Sequence, residues 1–93
     1  MIETFKDKRT KSIFEGIRVK KLPEDLQRRA LRKLLRIDAA IALEDLMVPP
    51  GNHLEPLSGD RDGQHSIRVN NQWRICFVWG DDGVYEVELV DYH

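Results

Sequence analysis

Three titratable side chains, Asp91, Tyr92 and His93, follow the apolar alternation "VELV". Asp91 can accept a proton, Tyr92 can stack on a base or donate from its hydroxyl, and His93 can exchange a proton near neutral pH. A chain-terminal carboxylate beside the His93 ring, with Asp91 near it, would favour the imidazolium and suit a general acid. Upstream, Arg68 and Arg74 offer guanidinium forks matched to phosphate oxygens. One reaction needs this set and no metal. The 2′-hydroxyl of RNA is deprotonated, attacks the adjacent phosphorus and expels the 5′-oxygen, leaving a 2′,3′-cyclic phosphate. A base, an acid and one or two arginines on the phosphorane suffice. The plainer readings are a solvated tail and an ion-pair ladder on an exposed sheet face.

Those side chains must be positioned by strands. After "VPPGN" the apolar period changes from about 3.6 residues to 2. "HLEPL", broken by Pro56, reads as an edge strand and "GDRDGQ" as a loop. "HSIRV", "WRICFVW" and "VYEVELV" then read as an antiparallel meander. A three-residue loop, Asn70 to Gln72, sets Val69 against Trp73 and Ile67 against Ile75; a two-residue loop would set Ile67 against Arg74. The same logic pairs Phe77 with Tyr85, Ile75 with Val87 and Trp73 with Leu89, and gives Trp73 and Trp79 to the core. The other face then carries Ser66, Arg68, Arg74, Cys76, Glu86 and Glu88, with Arg68 directly across from Arg74 and Glu88 beside it. The terminal triplet is expected at the edge of that face.

Helices precede the strands, which gives an α+β fold in one domain of 93 residues. Met1 to Phe5 suits a short edge strand. "TKSIFEGI" offers Thr10 or Ser12 as a cap, capping-box spacing from Ser12 to Glu15, and Gly16 as a left-handed stop, with Ile13, Phe14 and Ile17 facing the core. The strongest helix is "PEDLQRRALRKLLRIDAAIA", with Leu26, Ala30, Leu34, Ile37 and Ile41 on one side and Arg28, Arg29, Arg32, Lys33 and Arg36 on the other. A further turn fits Leu43 to Leu46.

Net charge is −1, yet residues 1–36 carry twelve Lys/Arg against five Asp/Glu, and the remainder three against eleven. The basic stripe on the long helix is therefore a candidate footprint for RNA. Hydrophobic residues at 41% and charged residues at 33% exclude global disorder. No apolar run suits a membrane span or signal peptide, so a cytoplasmic location is expected. The lone Cys76 reads as a small packed hydrophobe, and three scattered histidines give no metal site. His53 reads as loop, and His65 either meets RNA or satisfies a loop carbonyl.

The pieces "PPGN-LEPLSG", "GQHSIRVN-QWR" and the closing "VDYH" resemble the HigB-type toxins of the RelE superfamily, and the opening "MIETFKDKRTKSIFEG" and the "LRIDAA…LEDL" stretch fit as well, so the resemblance covers nearly the whole chain. It implies a curved antiparallel sheet packed on N-terminal helices, no cofactor, and ribosome-dependent cleavage of mRNA in the A site. It also implies neutralisation by a HigA-type helix-turn-helix antitoxin, through which alone operator DNA is engaged. Asp91, Tyr92 and His93 match the catalytic tail, and Arg74 the phosphate-binding arginine. Other members read "LHPLKG" where this chain reads "LEPLSG", so a catalytic His falls on Glu55 and a Lys on Ser58. A carboxylate at 55 can still act as base but supplies no positive charge, and Ser58 cannot neutralise a phosphate. The tail, with Arg68 or His65, then carries more of the chemistry, and in a protein that docks inside the ribosome the stripe of Arg28, Arg32 and Arg36 reads as an electrostatic footprint on ribosomal RNA. A poison of DNA gyrase, resembling the ParE branch, is the alternative; it would not need an Asp-Tyr-His tail. A plain RNA-binding module would need the arginines alone.

Overall fold

Asp7 starts the first helix, α1 (Lys8–Phe14): its Oδ1 accepts from the Thr10 amide at 3.0 Å, so the cap lies ahead of the expected Thr10 or Ser12. The computed structural model describes residues 1–92, so His93 lies outside the described residues. Thr10 is instead fully buried, and Gly16 takes the expected left-handed stop at φ 79°. Ile13 enters the core, Phe14 packs beside it, and Ile17, past the stop, is left exposed rather than buried as expected.

The second helix, α2 (Glu24–Ala39), has Glu24 and Asp25 in its first turn and Arg36 in its last, which suits the helix dipole. Leu26, Ala30, Leu34 and Ile37 form its buried stripe, and full burial of a side chain the size of Leu34 contributes roughly 1.5–3 kcal/mol. Ile41 was expected to extend that stripe; the helix ends at Ala39 and Ile41 is 93% exposed. A 3₁₀ turn at Leu43–Met47 follows, as expected, and buries Leu46.

Four antiparallel strands lie in the order β1 (Glu55–Pro56), β2 (His65–Arg68), β3 (Trp73–Trp79), β4 (Val84–Asp91). The β2–β3 register is the expected one: Ile67 opposes Ile75, Arg68 opposes Arg74, and the Val69 amide donates to the Trp73 carbonyl at 2.9 Å. The β3–β4 register is not. Trp79 opposes Val84, Val78 opposes Tyr85, and then Ile75 opposes Leu89 and Trp73 opposes Asp91. Between Val78 and Cys76, two residues of β4, Glu86 and Val87, stand against Phe77 alone. This bulge, with Glu86 at φ 56°, restores the facing of Val87 and Leu89 after Val84 has also been turned inward. Trp73 and Trp79 pack against the core, as expected.

Residues 1–5 lie parallel to β4, bridging Ile2 to Val84 and Phe5 to Val87. The expected edge segment thus covers the outer side of the last strand. Ile67, Ile75, Phe77, Val87 and Leu89 point at the helices with Leu34 and Ile37, and the alternate face is turned away from them.

Candidate active site

Arg74 is the centre of that outer face. Its side chain is only 11% exposed, held by Nε donating to Ser66 Oγ at 2.8 Å and Nη2 donating to the His53 carbonyl at 2.5 Å. Nη2 also lies 3.6 Å from Glu55 Oε1. Among the described residues Nη1 makes no hydrogen bond, so both of its N–H groups are available to an incoming anion. The Tyr92 ring completes the cluster, with the guanidinium carbon 5.9 Å from its centroid.

The loop that delivers His53 and Glu55 hangs on Asn52, which is fully buried. Its Nδ2 donates to the carbonyls of Leu46 at 3.1 Å and Val48 at 3.3 Å, and its Oδ1 accepts from the Lys33 ammonium of α2. His53 then adopts a left-handed conformation, φ 44°, that ends the 3₁₀ turn Pro50–Asn52 with its carbonyl on Arg74. The change of apolar period after "VPPGN" gives no sign of this anchoring role.

Arg68 stands directly across from Arg74, as expected, and Glu88, one candidate for offsetting the like charges, is not beside them. Arg68 turns to its own hairpin, Nε donating to the Asn70 carbonyl at 3.1 Å and Nη2 to the Asn71 side chain. The shifted β4 register puts Glu88 across from Cys76, where it pairs with Arg61 at 3.2 Å. Arg61 is a third cation on this face that the loop reading of "GDRDGQ" had not singled out. Cys76 beneath it is 1% exposed, and burial pushes its thiol up from the ordinary value.

The tail does not arrive as one unit. Strand alternation puts Asp91 on the face of its partner Trp73, and its Oδ2 accepts from Gln72 Nε2 at 3.1 Å. Only the next residue, Tyr92, reaches Arg74, its amide tied to the Gln72 carbonyl at 2.6 Å. The expectation that Asp91 lines the arginine face is thereby corrected; His93 is not described.

His65 is also corrected. Opposite Phe77 it faces the helices, its ring stacked on Phe77 at 6.4 Å, with Nδ1 buried and unpartnered among the described residues. Ser58 stands exposed ahead of the 3₁₀ turn Gly59–Arg61 and makes no side-chain hydrogen bond to Arg74 among the described residues. The basic stripe splits in two. Arg32 and Arg36, with Arg29 and Lys33, surround a concavity of about 260 Å³ walled by Pro49 and Val69. Lys33 there is held below its ordinary value by burial and then by Arg36, Arg29 and Arg32. Arg28 turns away, pairs with Asp25 at 3.1 Å and lines an apolar groove with Ile13, Ile17 and Leu31.

Comparison with known proteins puts this α+β fold, with its guanidinium-centred polar sheet face, among the small RelE-like toxins. Residues 3–93 match the HigB-like toxins, described as RelE-like toxins of the type II toxin-antitoxin system HigB, and the chain belongs to that family. Toxin HigB-1 of Vibrio cholerae serotype O1 is 44% identical over 78 residues, covering 83% of this chain and 82% of that protein. Endoribonuclease HigB of Proteus vulgaris is 36% identical over 93 residues, with both chains fully covered. Among solved structures, the YoeB-YefM complex from Staphylococcus aureus superposes with a TM-score of 0.63 at 14% identity, covering 100% of this chain and 98% of that one. The gyrase alternative finds no support in these relatives. Membership in a type II system implies an antitoxin partner. Among the described residues no helix is long and apolar enough to cross a membrane.

Proposed function

We propose that the chain is a ribosome-dependent endoribonuclease that cuts mRNA in the A site by attack of a 2′-hydroxyl on the adjacent phosphorus. The observation that carries this reading is Arg74: a largely buried guanidinium held on three sides, with Nη1 left to meet a phosphate oxygen. A donor fixed in advance stabilises the charge that develops on the phosphorane without reorganising during the reaction. The relative named Endoribonuclease HigB, alike over its whole length, supports the same reading.

In this reading Glu55, 3.6 Å from Arg74, is placed to take the 2′-hydroxyl proton, and Tyr92 packs a base against the site or donates from its hydroxyl. His93 is the general acid that protonates the leaving 5′-oxygen. Arg68 is the second phosphate contact once it leaves Asn71. No step needs a metal or cofactor. Arg32 and Arg36, with Arg29 and Lys33, grip the ribosomal RNA backbone, a contact that weakens as salt rises. Ser58 adds no charge. The protein works in the cytoplasm, and a HigA-type antitoxin neutralises it and alone engages operator DNA.

Purified protein incubated with programmed ribosomes and end-labelled mRNA tests this directly. Cuts confined to ribosome-bound mRNA, ending in 2′,3′-cyclic phosphate and lost in a folded, ribosome-binding His93→Gln variant, are expected. Absence of cuts with an intact, ribosome-bound protein would leave occlusion of the ribosome as the mode of action.

A further inference from the structure

β4 is an outer strand, so its outward backbone groups need partners from elsewhere. Residues 1–6 serve its first half: the Val84 amide donates to the Met1 carbonyl at 2.9 Å and the Val87 amide to the Thr4 carbonyl at 3.2 Å. There the covering segment turns into α1, and side chains take over. The Leu89 amide donates to Thr10 Oγ1 at 2.9 Å, and the Leu89 carbonyl accepts from Arg9 Nη2 at 3.0 Å. Arg9 also lies over Trp73, its guanidinium carbon 5.4 Å from the ring centroid, and Trp73 is the residue that opposes Asp91.

This arginine occupies a costly position. Its Nε is buried without a hydrogen-bond partner among the described residues, and a desolvated, partly satisfied guanidinium is a poor way to gain stability alone. It does fix two things at once: the backbone two residues before Asp91 and the aromatic ring against which Asp91 is registered.

We propose that Arg9 is a positioning residue for the reaction, clamping the end of β4 so that Asp91 and Tyr92 are held in place relative to Arg74. The inference rests on the nuclease reading of the site. Without the clamp the strand frays from Leu89 onward, the tail loses its placement, and docking on the ribosome is unaffected, since Arg9 belongs to neither the Arg74 cluster nor the basic concavity.

The test is single-turnover cleavage on programmed ribosomes, with ribosome affinity measured separately. Arg9→Met is expected to cut at a rate at least about tenfold lower at saturation, because small displacements of reacting groups are that expensive. Its ribosome Kd should stay within about threefold of the parent, well short of what loss of phosphate contacts costs. Arg9→Lys, which can still donate to the Leu89 carbonyl and lie over Trp73, should recover most of the rate. Parental rates in Arg9→Met, or a loss confined to affinity, overturn the proposal. Should Arg9→Met fail to fold, Arg9→Gln keeps a neutral donor and the same split is expected of it. Amide exchange separates this proposal from the nuclease reading: faster exchange at Leu89 and Tyr92 in the variant supports the clamp even if the parent cuts nothing, and unchanged exchange refutes it.

Discussion

Replacing Arg74 with lysine keeps the charge and removes the fork. A single ammonium can reach the His53 carbonyl or the Ser66 hydroxyl, now 2.5 and 2.8 Å from different nitrogens of the guanidinium, but cannot keep both geometries and still present two N–H groups outward. Ser66 is fully buried, so losing its partner costs about 1–2 kcal/mol of stability. Removal of one preorganised donor to a developing oxyanion typically costs about 10²–10³ in rate. Arg74→Lys should therefore remain folded and lose roughly two to three orders of magnitude of ribosome-dependent cleavage. Urea unfolding and single-turnover cleavage measured on the same preparation separate the two effects. Ser66→Ala supplies the control, since it removes the buried partner and leaves the guanidinium. Cleavage by Arg74→Lys within threefold of the parent, or an equal loss in Ser66→Ala, would show that the forked donor is not what the chemistry uses.

Other consequences can be measured without ribosomes. Asn52→Leu deprives the carbonyls of Leu46 and Val48 and the Lys33 ammonium of their buried partner, a loss of about 2–4 kcal/mol. In calorimetry that is a fall in Tm of roughly 10–25 °C, and a fall under 5 °C would contradict the anchoring role. Cys76, 1% exposed and with its thiol pushed up by burial, should resist alkylation at pH 8 in native protein and react at the rate of a free thiol in denaturant. Asp45 is held below its ordinary value by the backbone amides of Ala42 and Ile41. Its stabilising contribution is present above the ordinary carboxylate value and disappears as pH falls through the lower folded one. Asp45→Asn should flatten that part of the acid limb of a stability-versus-pH curve, and an unchanged limb would argue against it.

Much of the sheet was legible because its signals are local. The Ile67 and Ile75 pairing follows from apolar parity across a three-residue loop, and it fixed the opposition of Arg68 and Arg74 in advance. The β3–β4 register failed because Val84 and Val87, three apart, both face inward; a uniform period of two cannot satisfy both, and the bulge at Glu86 is the solution. That spacing was the available signal. From the same slip came the misplacement of Glu88 beside Arg74; Asp91 shares the parity of Leu89 in either register, so alternation alone already put it on the Trp73 face. Tyr92 near Arg74 was expected from the strand that carries it to the edge of that face, whereas Glu55 came from the family resemblance alone, since a residue 19 positions before Arg74 shows no relation to it in periodicity. Arg9, Asn52 and Arg61 carried no signal at all. Each matters through a backbone carbonyl or an ion pair remote in sequence, and those partners emerge only from the folded chain.

The covering of β4 by residues 1–10 joins parts of the chain that lie far apart in sequence. Leu89 and Thr10 are 79 positions apart, and Glu86 and Thr4 are 82 apart. Synthesis proceeds in one direction, so the opening segment leaves the ribosome with its strand not yet made, and loop closure over such distances comes late in folding. A nascent chain whose β4 is still inside the exit tunnel therefore lacks the covered edge. Under this architecture the outer side of the last strand is closed only when segments 79 positions apart have met, so that sheet edge is among the last parts of the molecule to form.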